Sequence, residues 1–219
     1  MASQQSPTGP LAHQQHYPPA RQAPNGAIAM QQSQQPKSNI EWLATANERV
    51  WHQVGQLSET MGDLDGAIAA YKRAIEHVPY AVPSMLAISS VLRGRDQYTD
   101  AVEYLKQILR HEQTNGDVWS SLGHSYLMMD DLQQAYSAYQ QALYHLPNPK
   151  EPKLWYGIGI LYDRYGSLEH AEEAFSQVMS MEPDFEKANE IYFRLGIIYK
   201  QQQKFQQSLE VTLISTLRD

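Results

Sequence analysis

The sequence predicts an all-α protein, a right-handed superhelix of stacked helical hairpins (an α-solenoid) behind a disordered Gln/Pro-rich tail. Three observations predict it. The texture changes near residue 38, from Gln- and Pro-rich to helical. From Ile40 onward apolar residues fall at three- and four-residue spacing, with Gly and Pro at regular intervals. A large side chain also recurs every 34 residues, at Trp51, Met85 and Trp119, then at Trp155 and Tyr192 after two and three extra residues.

The tail comes first. Residues 1–38 hold nine Gln and six of the twelve Pro, with no Asp or Glu. Apolar residues there are too sparse and aperiodic to offset the ordering of the backbone, so the segment is predicted disordered. Ile40, Leu43, Ala46, Val50 and Val54 place the start of the first helix near Asn39. The rest, 39–219, reads as one repeat array.

The third copy, residues 116–149, shows the repeat most clearly: Trp119, Leu122, Gly123, Tyr126, Ala135, Tyr139, Ala142 and Pro147. This is the tetratricopeptide pattern, W-x2-L-G-x2-Y followed by Ala, an aromatic, Ala and Pro, and the repeats resemble that family. The first copy (48–81) has Trp51, Gly55, Ala67, Tyr71 and Pro79. The second (82–115) is weaker, with Met85, Ser89, Ala101 and Tyr104. The fourth (152–185) has Trp155, Gly159, Ala171, Phe175 and Pro183, and a partial fifth (189–219) has Tyr192, Leu195, Gly196 and Tyr199.

Each residue type has a structural task. A mid-helix Gly costs roughly 1 kcal/mol against Ala, so its recurrence implies close packing. Gly55, Gly123 and Gly159 are expected to admit the second helix of the hairpin, with Ala67, Ala135 and Ala171 as the small residues opposite. Tyr71, Tyr139 and Phe175 are expected to fill the space between hairpins, around Trp51, Trp119 and Trp155. Pro79, Pro147 and Pro183 end the second helices. Truncating Trp119 is expected to cost about 3–5 kcal/mol if it is buried.

Composition narrows the function. The formal net charge is −7; the tail carries +2 through Arg21 and Lys37, leaving −9 on the array. That charge repels a phosphate backbone, so direct nucleic-acid binding is not expected. There is no cysteine, and no run long and apolar enough for a membrane. The eight His are dispersed, with no helical one-turn pair. No phosphate loop, nucleophile elbow or zinc-protease motif occurs. Asp130-Asp131 reads as a solvated turn. The expectation is a scaffold with no enzymatic activity and no cofactor.

Binding is left, and the first helix of each hairpin leaves positions for a partner between its core residues. These are His52, Gln56 and Glu59; Leu86, Ser90 and Arg93; Ser120, His124 and Leu127; Tyr156, Ile160 and Asp163; and Phe193, Ile197 and Lys200. The later ones mix apolar groups with few charges, which suits a partner helix lying in a groove. No basic pair converges at the positions that would form a co-chaperone carboxylate clamp (His52, Gln56, Leu86, Ala87, Ser120, Ser121).

A closer resemblance rests on VWSSLGHSYLMMDDLQQAYSAYQQALYHL (118–146), LWYGIGILYDRYGSLEHAEEAF (154–175) and FEKANEIYFRLGIIYK (185–200). These blocks resemble the tetratricopeptide subunit of the fungal general transcriptional corepressor, the glucose-repression mediator, and its Gln-rich tail. The resemblance implies a nuclear adaptor. Its partners would be the N-terminal helical coiled-coil segment of a WD-repeat corepressor, sequence-specific DNA-bound repressors and histone-modifying enzymes, with no direct nucleic acid and no membrane. It places the partner helix on the first three copies, at Leu86, Ser90, Ser120, His124 and Leu127, with Tyr156 and Ile160 extending the groove. The alternative is a non-nuclear adaptor in protein transport or in a cell-cycle ubiquitin ligase. After Glu210 the pattern breaks, with Ser208, Thr212 and Ser215 where Ala or an aromatic is expected, so the ending VTLISTLRD reads as a truncated product, a retained intron or a faulty gene model, and the last helix is expected to fray.

Overall fold

A computed structural model of the chain describes residues 38–146 and 149–218, apart from the side chain of Arg218. The expected disorder of residues 1–37 and the expected helix stop at Pro147 lie outside these. Ten helices are described: α1 (Asn39–Thr60), α2 (Leu64–His77), α3 (Val82–Gly94), α4 (Tyr98–Leu109), α5 (Gly116–Met128), α6 (Leu132–His145), α7 (Pro152–Tyr165), α8 (Leu168–Met181), α9 (Ala188–Gln201) and α10 (Phe205–Arg218). They pair in sequence as α1/α2, α3/α4, α5/α6, α7/α8 and α9/α10, and each hairpin stacks on the next.

Local chemistry sets the helix ends. Ser38 and Glu41 close a capping box on α1, so Ser38 belongs to the helix start and not to the tail. Asp63, Asn115 and Asp131 cap α2, α5 and α6 by accepting from the backbone N–H three residues on. Pro152 opens α7, where a missing N–H costs nothing. Pro79 and Pro183 each follow a helix end, at His77 and Met181. The turn inside every hairpin carries one left-handed residue: Gly62, Asp96, Asp130, Gly166 and Gln203. Asp130 is thus part of a tight turn, and its carboxylate accepts from Arg164 at 2.8 Å, tying that turn to the next hairpin.

The hairpin core is built on a glycine and an aromatic, not on glycine and alanine as expected. A Cβ added at Gly123 would meet the Tyr139 ring at 2.8 Å, and one at Gly159 would meet the Phe175 ring at 2.6 Å. Gly55 faces Tyr71 in the same way. Each ring comes from the second helix of the same hairpin, 16 residues on, and occupies the space the missing side chain leaves. Ala67, Ala135 and Ala171 are wholly buried, one turn before these rings. In the second hairpin the same 16-residue register runs from Ser89 to Leu105, which is fully buried, and not to Tyr104. Tyr104 is half-buried and packs against both core clusters, the one between the first two hairpins and the larger one beyond.

The repeating Trp side chains are half-buried. The Nε1 groups of Trp119 and Trp155 donate to the carbonyls of Gln113 and Pro149, each at 2.8 Å, so one ring edge faces outward. The Arg73 guanidinium lies 5.6 Å over the Trp51 ring. Partial burial lowers the expected cost of Trp119→Ala to about 2–3 kcal/mol.

Candidate protein-binding groove

The first helices α3, α5 and α7 lie side by side and line a cavity of about 400 Å³ that spans three hairpins. Ser90 and Arg93 come from α3, Ser120 and His124 from α5, and Lys153 and Tyr156 from α7. The second helix α6 contributes Tyr139 to the lining, and Phe185, Glu186 and Lys187 close the cavity from the segment before α9. These come together because inner positions of successive hairpins are in register at the repeat interval: Ser90 and His124 are 34 residues apart, and Ser120 and Tyr156 are 36 apart.

Of the seven groove residues expected from sequence, the structure brings four, Ser90, Ser120, His124 and Tyr156, into this one cavity. Leu86 is half-buried against the core, outside the cavity. Leu127 and Ile160 are corrections: both are core residues, 2% and 6% exposed, because they face the next hairpin. They offer a partner no surface while the stack is closed. Tyr156 is held in place. Its hydroxyl donates to Glu190 at 2.7 Å, and Glu190 in turn accepts from Arg194, which also pairs with Asp163 at 2.6 Å. Burial, reinforced by Glu190, raises the Tyr156 pKa above the ordinary phenol value.

The cavity carries a small positive surplus within an acidic array. Arg93, Lys153 and Lys187 face it with Glu151 and Glu186. No ion pair among the described residues engages those three cations. Burial lowers the His124 pKa below the usual imidazole value, and the charges of Arg93 and Lys153 lower it further. Two buried polar atoms of the cavity lining, Arg93 Nε and Tyr139 Oη, have no hydrogen-bond partner among the described residues. Burial pushes the Tyr139 phenol up, with Arg93 opposing. Its hydroxyl rests where a Cβ at Gly157 would be. Leaving a buried donor unpaired costs about 1–3 kcal/mol.

Sequence reasoning placed Arg93 at an inner position but missed Tyr139, Lys153 and Lys187. Basic groups do converge on the inner face, one hairpin beyond the positions tested for a carboxylate clamp. Lys153 and Lys187 lie 60 and 94 residues after Arg93, so only the stacking brings them together. A signal for Tyr139 was present: its seat in the fourth hairpin is filled by a phenylalanine.

Among the described residues no helix is long and apolar enough to cross a membrane, and no cluster of metal-ligating side chains occurs.

Comparison with known proteins places the array. A family profile described as the cytochrome c-type biogenesis protein H TPR domain matches residues 43–153, and one described as a tetratricopeptide repeat matches residues 152–185. The chain is 56% identical over 154 residues to the general transcriptional corepressor ssn6 of Schizosaccharomyces pombe, covering 70% of this chain and 14% of that protein. It is 56% identical over 145 residues to the general transcriptional corepressor trfA of Dictyostelium discoideum (66% and 10% covered). It is 49% identical over 159 residues to the general transcriptional corepressor CYC8 of Saccharomyces cerevisiae (73% and 16% covered). The chain therefore spans only 10–16% of the length of these relatives. Among solved structures, MamA superposes with a TM-score of 0.66 at 25% identity, covering 77% of this chain and 90% of that one. YrrB, described as a TPR protein with an unusual peptide-binding site, gives 0.60 at 19% identity, with 75% and 82% covered, which supports the fold alone.

Proposed function

Because the chain belongs to the tetratricopeptide-repeat family, and its repeats are homologous to those of the general transcriptional corepressors, we propose that it is the adaptor scaffold of a nuclear corepressor complex. In this reading the array links a WD-repeat corepressor to DNA-bound repressors. The partner's N-terminal helical segment lies along α3, α5 and α7, against Ser90, Ser120 and Tyr156.

One observation carries the docking site: the first helices of three successive hairpins line a single open cavity whose polar groups are not all used by the fold. Stacked hairpins generate such extended surfaces, and an amphipathic helix in a groove is a common occupant. The net charge of −9 on the array fits a protein that reaches promoters through other proteins. The identity to corepressors favours this reading over a transport or ubiquitin-ligase adaptor.

The test is co-precipitation of the full chain with the N-terminal helical segment of the WD-repeat corepressor from the same organism. Ser90→Trp and Ser120→Trp would block the groove at an exposed and a half-buried position without opening the core. Binding by the parent and its loss in folded variants is the expected result. A folded parent that captures nothing would sink the corepressor assignment.

A further inference from the structure

The groove cavity holds two groups that the packing of the array does not require. The first is the Tyr139 hydroxyl. The same seat is filled in other hairpins by Leu105 and Phe175, which have no oxygen, and by Tyr71, whose hydroxyl donates to Glu59. Tyr139 is 3% exposed and lines the cavity, its ring fills the space at Gly123, and its buried oxygen has no hydrogen-bond partner among the described residues. The second is Nε of Arg93, also buried and unpartnered. The corresponding inner positions of the other hairpins hold Glu59, Leu127, Asp163 and Lys200, so the stack does not need a guanidinium there.

Both groups are hydrogen-bond donors. The guanidinium has no acceptor at all, and Lys153 and Lys187 add two further cations to the lining. A ligand that satisfies them must be an acceptor and an anion. Glu151 and Glu186 also line the cavity and leave a small positive surplus, which matches one negative charge better than two. A volume of about 400 Å³ accepts a side chain but not a folded element.

We propose that this cavity receives the carboxylate of an aspartate or glutamate side chain projecting from the partner, with Arg93 and Tyr139 donating to it and Lys153 and Lys187 attracting it. The proposal rests on the reading of α3, α5 and α7 as the docking surface, and it supplies that surface with a specific anchor. An acidic residue on the partner then fixes the register of its helix in the groove, as buried charge-assisted hydrogen bonds do at other interfaces.

The test uses the full chain and a small probe, so it does not depend on the partner's identity. The Arg93 Nε–H signal is followed by proton–nitrogen NMR while N-acetyl-glutamate amide, which keeps only the side-chain carboxylate, is added. The isosteric N-acetyl-glutamine amide, N-acetyl-alanine with a chain-terminal carboxylate, and N-acetyl-phosphoserine amide are titrated in parallel. A saturable shift with the glutamate probe, absent with glutamine and weaker with the other two, is expected. Tyr139→Phe keeps the ring in its seat and removes only the unpaired oxygen; it should weaken the glutamate probe about tenfold while the free chain melts no lower than the parent. Arg93→Gln should abolish the shift. Equal shifts with glutamate and glutamine, no shift, or full affinity in Tyr139→Phe would overturn the proposal. Tighter binding of the chain-terminal or phosphoserine probe would overturn the choice of ligand. A failed co-precipitation with a positive probe titration would refute the named partner and leave the anchor standing.

Discussion

Gly159→Ala gives the sharpest test of how the hairpins are packed. A methyl group at 159 would lie 2.6 Å from Cε1 and 2.7 Å from Cδ1 of Phe175, whereas ordinary contact begins near 3.4 Å. The ring would have to retreat by about 0.8 Å from a site where it is fully buried. Overpacking of this kind costs about 1–3 kcal/mol. The better helix propensity of alanine returns about 1 kcal/mol. The net expectation is destabilisation by up to about 2 kcal/mol, although the same change in an exposed helix would stabilise. The second hairpin pairs a larger residue with a smaller one in the same register, Ser89 with Leu105, and both are buried. Phe175→Leu should therefore relieve Gly159→Ala, with a coupling of about 1 kcal/mol between the two. Urea unfolding of the parent, both single variants and the double variant, followed by tryptophan fluorescence, measures it. A Gly159→Ala chain more stable than the parent, or strictly additive effects, would refute the account of the seat.

Three further outcomes follow from the same geometry. Gln203 stands at φ +62° in the last hairpin turn, so Gln203→Gly should stabilise the α9/α10 pair by about 0.5 kcal/mol, read from the urea midpoint. Burial and the nearby Arg93 and Lys153 hold the His124 pKa below its unfolded value. The unfolded chain thus binds the extra proton first, and stability present above about pH 6.5 is lost as pH falls toward the lowered value; His124→Gln should flatten that acid limb in melting curves taken across pH. Leu209, Leu213 and Leu217 of α10 are exposed, so hydrogen exchange should show α10 with the least protection of the helices and α5 to α7 with the most.

Much of the fold was legible because each repeat residue answers a local need that recurs at one interval. Trp51, Trp119 and Trp155 mark the first helices, and Gly62 and Gly166 mark turns that need a left-handed residue. What failed was the assignment of partners across the hairpin. Alanine and glycine both read as small, and only the structure shows that the ring of Tyr139, and not Ala135, sits on Gly123. Tyr104 misled because its aromatic character outweighed the register, which gives the seat to Leu105.

The site was legible in part for a similar reason. Of the positions that alternate with core residues on the first helices, Ser90, Ser120, His124 and Tyr156 line one cavity. Leu127 and Ile160 occupy equally regular positions, yet neighbouring hairpins cover them. Sequence periodicity gives the face of one helix and does not say how far the next hairpin overlaps it. Nor does it show that Arg93, Tyr139, Lys153 and Lys187 converge, since that depends on the stacking of three hairpins. In the last hairpin Ser208 and Thr212 replace the expected alanine and aromatic. Ser208 instead donates to the Gly196 carbonyl at 2.8 Å, and α10 remains helical to Arg218.

Site-specific photocrosslinking tests the central claim most directly. A crosslinking amino acid is placed at Ser90, exposed on the groove side of α3, or at Gln141, exposed on the opposite side on α6. The full chain is then irradiated with the N-terminal helical segment of the WD-repeat corepressor. The account predicts a crosslinked product from Ser90 and none from Gln141. A product from Gln141 alone would place the partner on the second helices and contradict the groove as the binding surface.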